Sequence, residues 1–310
     1  MNRNRREFLR DAAVAGAALT LGGRRLVGQQ RKSVLVFTKS SGFEHQVVKR
    51  VNGQQSIMEA AVRELGNKNG FGVDTSKDGR VFNSREFLKY AAVIFFTTGD
   101  LTKEGTDKNP PMSPAGKEAL LSAIHAGKIG FVGVHAASDT FHTEPDTPDN
   151  ANRYIAHGEK SDPYIRMLGG EFITHGSNPR LQTADVIVND PSFPGLSGVT
   201  SPVSFTEEWY SLKDFRDDLH VILTLDTKGM RGACYDRPPY PVAWTRMEGK
   251  GRVFFTALGD RPENWQSEFM LNLLAGGIRW AIRDVDASSE VNLKEAAPGY
   301  ATIPPKETRN

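Results

Sequence analysis

A chain of 310 residues, 38% hydrophobic and 25% charged, has the composition of an ordinary soluble globular protein and is long enough for one large core. Its net charge of +2 hides an uneven spread: residues 1–32 hold eight basic and two acidic side chains, which leaves the rest of the chain near −4. A body without a basic excess argues against a nucleic-acid partner, and the single cysteine, Cys234, rules out an internal disulfide.

The basic excess belongs to the N-terminus. Arg5-Arg6-Glu7-Phe8-Leu9-Arg10 resembles the twin-arginine export motif, and Ala12–Leu21 follows it as an apolar stretch too short for a stable membrane anchor. Residues 1–30 therefore read as an export signal for the twin-arginine machinery, and the rest as a periplasmic or secreted protein.

From residue 31 onward short apolar runs alternate with helical stretches. Ser33–Thr38 reads as a buried strand ending in a Lys-Ser-Ser-Gly loop. Ile57, Met58, Ala61, Val62 and Leu65 recur at helical spacing, with Gly66 as the expected C-cap. Phe71–Thr75, Ala91–Thr97 and Ile129–Val134 are further strands, and Pro114–Ala126 is a helix between the last two. Strands apolar throughout are those of a parallel sheet covered on both faces. The order predicts a doubly wound, mostly parallel open α/β sheet in three layers. Strands are then expected at Leu181–Val188, Val221–Leu225, Val242–Thr245 and Arg252–Ala257, and a helix at Glu263–Ile282. Residues 285–310 are polar and proline-bearing, and read as a loosely held tail.

Ligands of such sheets bind outside the carboxyl ends of the strands. Three of these ends are polar, and they offer His45, Asp100, His135 and Asp139 for convergence on one site. The turn Gly133-Val134-His135-Ala136-Ala137 has the glycine chemistry of a nucleophile elbow, but with histidine where Ser or Cys would stand. Imidazole there suits a general base, a proton donor or a metal ligand.

The strings VLVFTKSSGFEH, AVIFFTTGDLT, GFVGVHAASDT, EEWY, VILTLD, PVAWTR and GKGRVFFTALGD resemble the trehalose-utilisation (ThuA-like) family, over about Ser33 to Ile282. The resemblance implies a flavodoxin-like fold akin to class I glutamine amidotransferases without their catalytic cysteine, and metabolism of trehalose or related disaccharides through 3-keto sugars. It adds His175 after Phe172, with Gly176-Ser177-Asn178 intervening before Pro179, and Asp260 where the family more often has histidine. Glu208 beside Trp209 and Tyr210 has the composition for stacking on a sugar ring and bonding its hydroxyls, and Trp265 follows the Asp260 loop. The expected catalytic residues are His135, His45 and Asp139. The expected substrate contacts are Asp100, Glu208, Trp209, Tyr210, His175 and Trp265. His45, His135 and Glu208 form the candidate ligand set for a divalent metal such as zinc. The reading is an enzyme acting on a disaccharide or keto-sugar, with a non-catalytic sugar-binding module as the alternative.

Overall fold

Strand β1 (Ser33–Phe37) is buried over nearly its whole length, as a Val-Leu-Val-Phe run covered on both faces must be. It lies inside a nine-stranded sheet in the computed structural model, which describes residues 31–145, 147 and 149–306. The expected export signal, residues 1–30, lies outside the described residues.

Strands β2 (Gly72–Ser76), β3 (Ala92–Phe95), β4 (Gly130–Val134) and β11 (Gly251–Thr256) join β1 in the parallel order β2-β1-β3-β4-β11. Strands β10 (Tyr240–Glu248), β9 (His220–Leu225), β6 (Gln182–Val188) and β7 (Val203–Glu207) continue the sheet with antiparallel pairing throughout. Two strands, β5 (Glu171–His175) and β8 (Tyr210–Lys213), pair apart from it. The parallel half is the doubly wound sheet predicted.

Helix α1 (Ile57–Asn69) starts at a reciprocal capping box of Ser56 and Glu59. It ends not at Gly66 but at Gly70, whose φ of 81° closes the helix in the left-handed region. Gly66 lies inside the last turns, where a Cβ would stand 2.7 Å from the Phe71 carbonyl oxygen. Its glycine serves close packing on the following strand, not termination. Helix α2 (Pro114–His125) begins at Ser113 with Pro114 in its first turn. The short helix α3 (Pro163–Leu168) packs beside α2, and α4 (Glu268–Ala281) packs against β4, β11 and α1. Right-handed crossovers from β1 through α1 and from β3 through α2 move in opposite directions, so the helices cover opposite faces.

The structure shortens the expected Glu263–Ile282 helix: Pro262–Gln266 forms a separate 3-10 turn, and Ser267 caps α4. The segment expected as a loose tail is docked. Helix α5 (Leu293–Ala296) buries Leu293, and the Asn292 side chain bonds the Val221 backbone in both directions, at 2.6 and 3.0 Å. Among the described residues no helix is long and apolar enough to cross a membrane.

Candidate active site

The direction of the chain reverses its winding between β1 and β3, and the crevice of an open α/β sheet lies at such a switch point. The loops after β1, β4 and β11 leave the same edge of the sheet and carry His45, His135 and Asp260. Counting the antiparallel pairings outward, β7 also runs in the β11 direction, so Glu207 and Glu208 lie at that edge as well. The far edge is folded back onto the β11 loop: the Gly259 N–H donates to Glu207 (2.7 Å), and Asn264 donates to the Thr206 carbonyl (3.0 Å).

His135 occupies its turn with φ 43°, a conformation that few non-glycine residues adopt and that matches the strained strand-to-helix turn expected there. Its Nδ1–H donates to the Ala257 carbonyl (2.8 Å). Its Nε2 has no hydrogen-bond partner although the side chain is 0% exposed, and Glu208 Oε2 stands 3.5 Å away. Burial pulls the imidazole pKa down. The Glu208 carboxylate, together with the charges of Glu207 and Asp260, overrides that and raises it to about 9. Burial likewise opposes ionisation of Glu208 and Asp260, but His135 holds the first low, and the His45 hydrogen bond with the His135 charge holds the second low. Glu207 is pushed up by burial, against three supporting N–H donors from Gly259, Glu208 and Asn264.

His45 bridges the cluster. Its Nδ1–H donates to Asp260 Oδ1 (2.9 Å), and the Tyr210 hydroxyl lies 3.2 Å from its Nε2. The His45 and His135 rings meet edge to face with centroids 5.3 Å apart, and Tyr210 lies 4.0 Å from the His135 ring. Arg180 closes the outer side: its Nη1 donates to Glu208 Oε1 (2.7 Å) and Asp260 Oδ2 (3.3 Å), while the side chain remains 49% exposed.

Above this floor is a cavity of about 760 Å³, lined by His45, Asp139, Phe172, His175, Arg180, Glu208, Tyr210 and Asp260 among others. Of the residues singled out in the sequence, the structure thus gathers His45, Asp139, His175, Glu208 and Tyr210 around one space, with His135 directly behind it. Three others stand apart. Asp100 accepts from the backbone N–H and hydroxyl of Thr102 (2.9 and 2.6 Å), closing its own turn, and faces a different cavity. Trp209 is 0% exposed and donates to the Gln182 carbonyl (2.9 Å) in the core. Trp265 donates to the Gly259 carbonyl (2.9 Å) and braces the Asp260 loop from behind. The alternation of a strand end explains the outcome at Glu207–Tyr210: Glu208 and Tyr210 face the cavity, and Glu207 and Trp209 face inward. Arg180 carries no pattern in the sequence. Asp260 was legible as a carboxylate in a Gly-Asp-Arg turn at a strand end.

The second cavity, of about 1000 Å³, lies beyond the Asp139–His142 pair and is the larger. Of the two lysines that line it, Lys117 is already paired with Asp162 (2.7 Å).

The strand order and the polar crevice at its switch point define a flavodoxin-like α/β protein with a cluster of buried titratable side chains at the carboxyl edge. Within that class the chain belongs to the ThuA family, whose model, described as trehalose utilisation, matches residues 33–281. Solved structures agree on the fold. A ThuA-like protein from Bacteroides uniformis superposes with a TM-score of 0.57 at 20% identity, covering 81% of this chain and 91% of that one. Another from Parabacteroides merdae gives a TM-score of 0.53 at 16% identity, covering 90% and 98%. A search of curated proteins gave no match.

Proposed function

We propose that this protein is an exported enzyme of disaccharide metabolism that acts on the keto form of a sugar in the cavity above His45, Glu208 and Asp260. The observation that carries the reading is the lining itself. It offers histidines, carboxylates and a Phe172–Tyr210 aromatic wall, and no Ser, Thr, Cys or Lys. Among the described residues the cavity is thus without a Ser, Thr, Cys or Lys nucleophile and rich in acid–base groups. The volume is within the range of small-molecule sites, and the family is linked to trehalose utilisation.

A 3-keto sugar suits that lining. Its carbonyl acidifies the C2 proton, so one base suffices to start the reaction. His175, partly open to the cavity, takes that proton and the electrons form an enolate. The enolate expels the glycosidic oxygen from C1, which leaves with the proton returned by the His175 imidazolium. Positive charge at the floor stabilises the enolate, and His135 is placed to contribute to it from behind.

The test uses 3-keto-trehalose and related 3-keto-disaccharides in deuterated water, with NMR following substrate loss and deuterium at C2. His135→Ala and His175→Ala should each slow consumption by about 100-fold or more. No consumption by the natural protein, or unchanged rates in both variants, refutes the reading. Tight binding without consumption would mark a non-catalytic sugar-binding module.

A further inference from the structure

The cavity floor gathers two imidazoles and two carboxylates around one point. Arg180 reaches only the outer oxygens of Glu208 and Asp260, from solvent. Offering one atom each, His45, His135, Glu208 and Asp260 bring four ligand atoms within 4.8 Å of one another, and all four residues are buried. An independent observation points the same way. The His135 Nε2 is completely buried and has no hydrogen-bond partner. Its Nδ1–H is committed to the Ala257 carbonyl, which leaves Nε2 as the atom free to ligate. Donation of the far ring N–H to a backbone carbonyl is how metal-ligating histidines are oriented.

A second acidic cluster shows what the first one lacks. His157, Glu171 and Asp214 also converge, but the Lys213 ammonium sits among them. It lies 3.4 Å from Glu171, 3.8 Å from Asp214 and 3.4 Å from His157 Nδ1. That cluster carries its own cation. Among the described residues no ammonium enters the His45–Asp260 floor.

We propose that His45, His135, Glu208 and Asp260 bind one divalent first-row cation, with zinc the best match to two imidazoles and two carboxylates. Around a four-coordinate zinc the ligand atoms stand roughly 3.3 Å apart, so the set closes by side-chain shifts of about 1 Å or less. Arg180 holds the outer carboxylate oxygens while the inner ones ligate. When bound, the ion would polarise a substrate oxygen as a Lewis acid. The inference deepens the reading of the site given above, but it stands on coordination chemistry and not on the choice of sugar.

The test strips the full chain with a chelator, titrates it with Zn²⁺ by calorimetry and counts bound metal by elemental analysis after gel filtration. The expected result is one ion per chain. His135→Ala and Asp260→Asn should weaken binding about tenfold or more. His220→Ala should leave it unchanged, since that ring pairs with Asp190 in a different place. Co²⁺ loading of the natural chain should give visible absorption bands, a readout that needs no variant. A natural chain that takes up no stoichiometric metal and shows no Co²⁺ bands overturns the proposal, as does undiminished binding in both ligand variants. Metal-free protein that consumes keto-sugars at full rate refutes the Lewis-acid role of the cation and leaves the enzyme reading standing. Metal-loaded protein inert toward every keto-disaccharide does the reverse.

Discussion

His142 lies between two carboxylates, its Nε2 2.6 Å from Asp139 and its Nδ1 3.0 Å from Glu171. Carboxylates only accept, so both ring nitrogens carry protons. Burial opposes that charge, but the two hydrogen bonds raise the pKa to about 9. The sign follows from linkage: a raised histidine pKa stabilises the fold fully below its ordinary value of 6.5 and loses that contribution as the pH climbs through 9. The contribution is at most about 3 kcal/mol. Urea unfolding of metal-free protein at pH 7 and pH 10 should show a fall in stability that His142→Gln makes shallower. An equal fall in both proteins would contradict the assignment. This bond also fixes what Asp139 does. One oxygen is taken by His142 and approached by Arg153 (3.3 Å), so the carboxylate reaches the cavity as a held group, suited to orienting a hydroxyl. The sequence marked Asp139 through its place after a strand. His142, three positions later, has no motif, and its second partner comes only from the Glu171 strand, far along the chain.

Strands β1, β3 and β4 were legible because each is a short apolar run between turns, and near-complete burial leaves almost no polar residue to blur it. Strands β5 and β8 were not, and the reason is specific. Glu171 and Lys213 face each other in register across that pair with their charged ends 3.4 Å apart, so each strand carries an ion that reads locally as loop. The same two strands place His175 opposite Tyr210 and so build one wall of the cavity. Helix α4 shows how closely elements approach: a Cβ on Gly276 would collide with the Pro194 carbonyl oxygen, a backbone atom that cannot swing aside. Gly276→Ala should therefore lower stability by about 1–3 kcal/mol, the usual range for overpacking, although alanine favours helices. Chemical denaturation measures it, and a neutral or stabilising result would mean that the Phe193–Pro194 loop is free to withdraw.

At the scale of the molecule, the C-terminal segment belongs to the fold although it lies beyond the family match at residue 281. Leu293 and Ala297 are buried, Arg237 donates to the Tyr300 carbonyl (3.1 Å), and the Tyr300 hydroxyl donates to Asp217 (2.8 Å). Its polar composition concealed this, because a few anchoring residues among many charged ones give no periodic pattern. Deleting residues 285–310 should cost about 3 kcal/mol or more, from one buried leucine and several hydrogen bonds. The thermal midpoint should drop, while zinc and keto-sugar binding persist in the folded fraction, since none of these contacts is made by a residue of the His45–Asp260 cluster.

The fold-back of the sheet's far edge onto the β11 loop has a consequence for chain connectivity. The His45–Asp260 bond joins residues 215 positions apart, and His135 and Glu208 lie within that span. The four groups therefore come together only after both halves of the sheet have formed and the edge has returned. Closing so long a loop carries an entropic cost that local contacts cannot meet. Whatever is held between those side chains acts as a tie across the molecule, and its binding energy adds to the stability of every strand inside that loop.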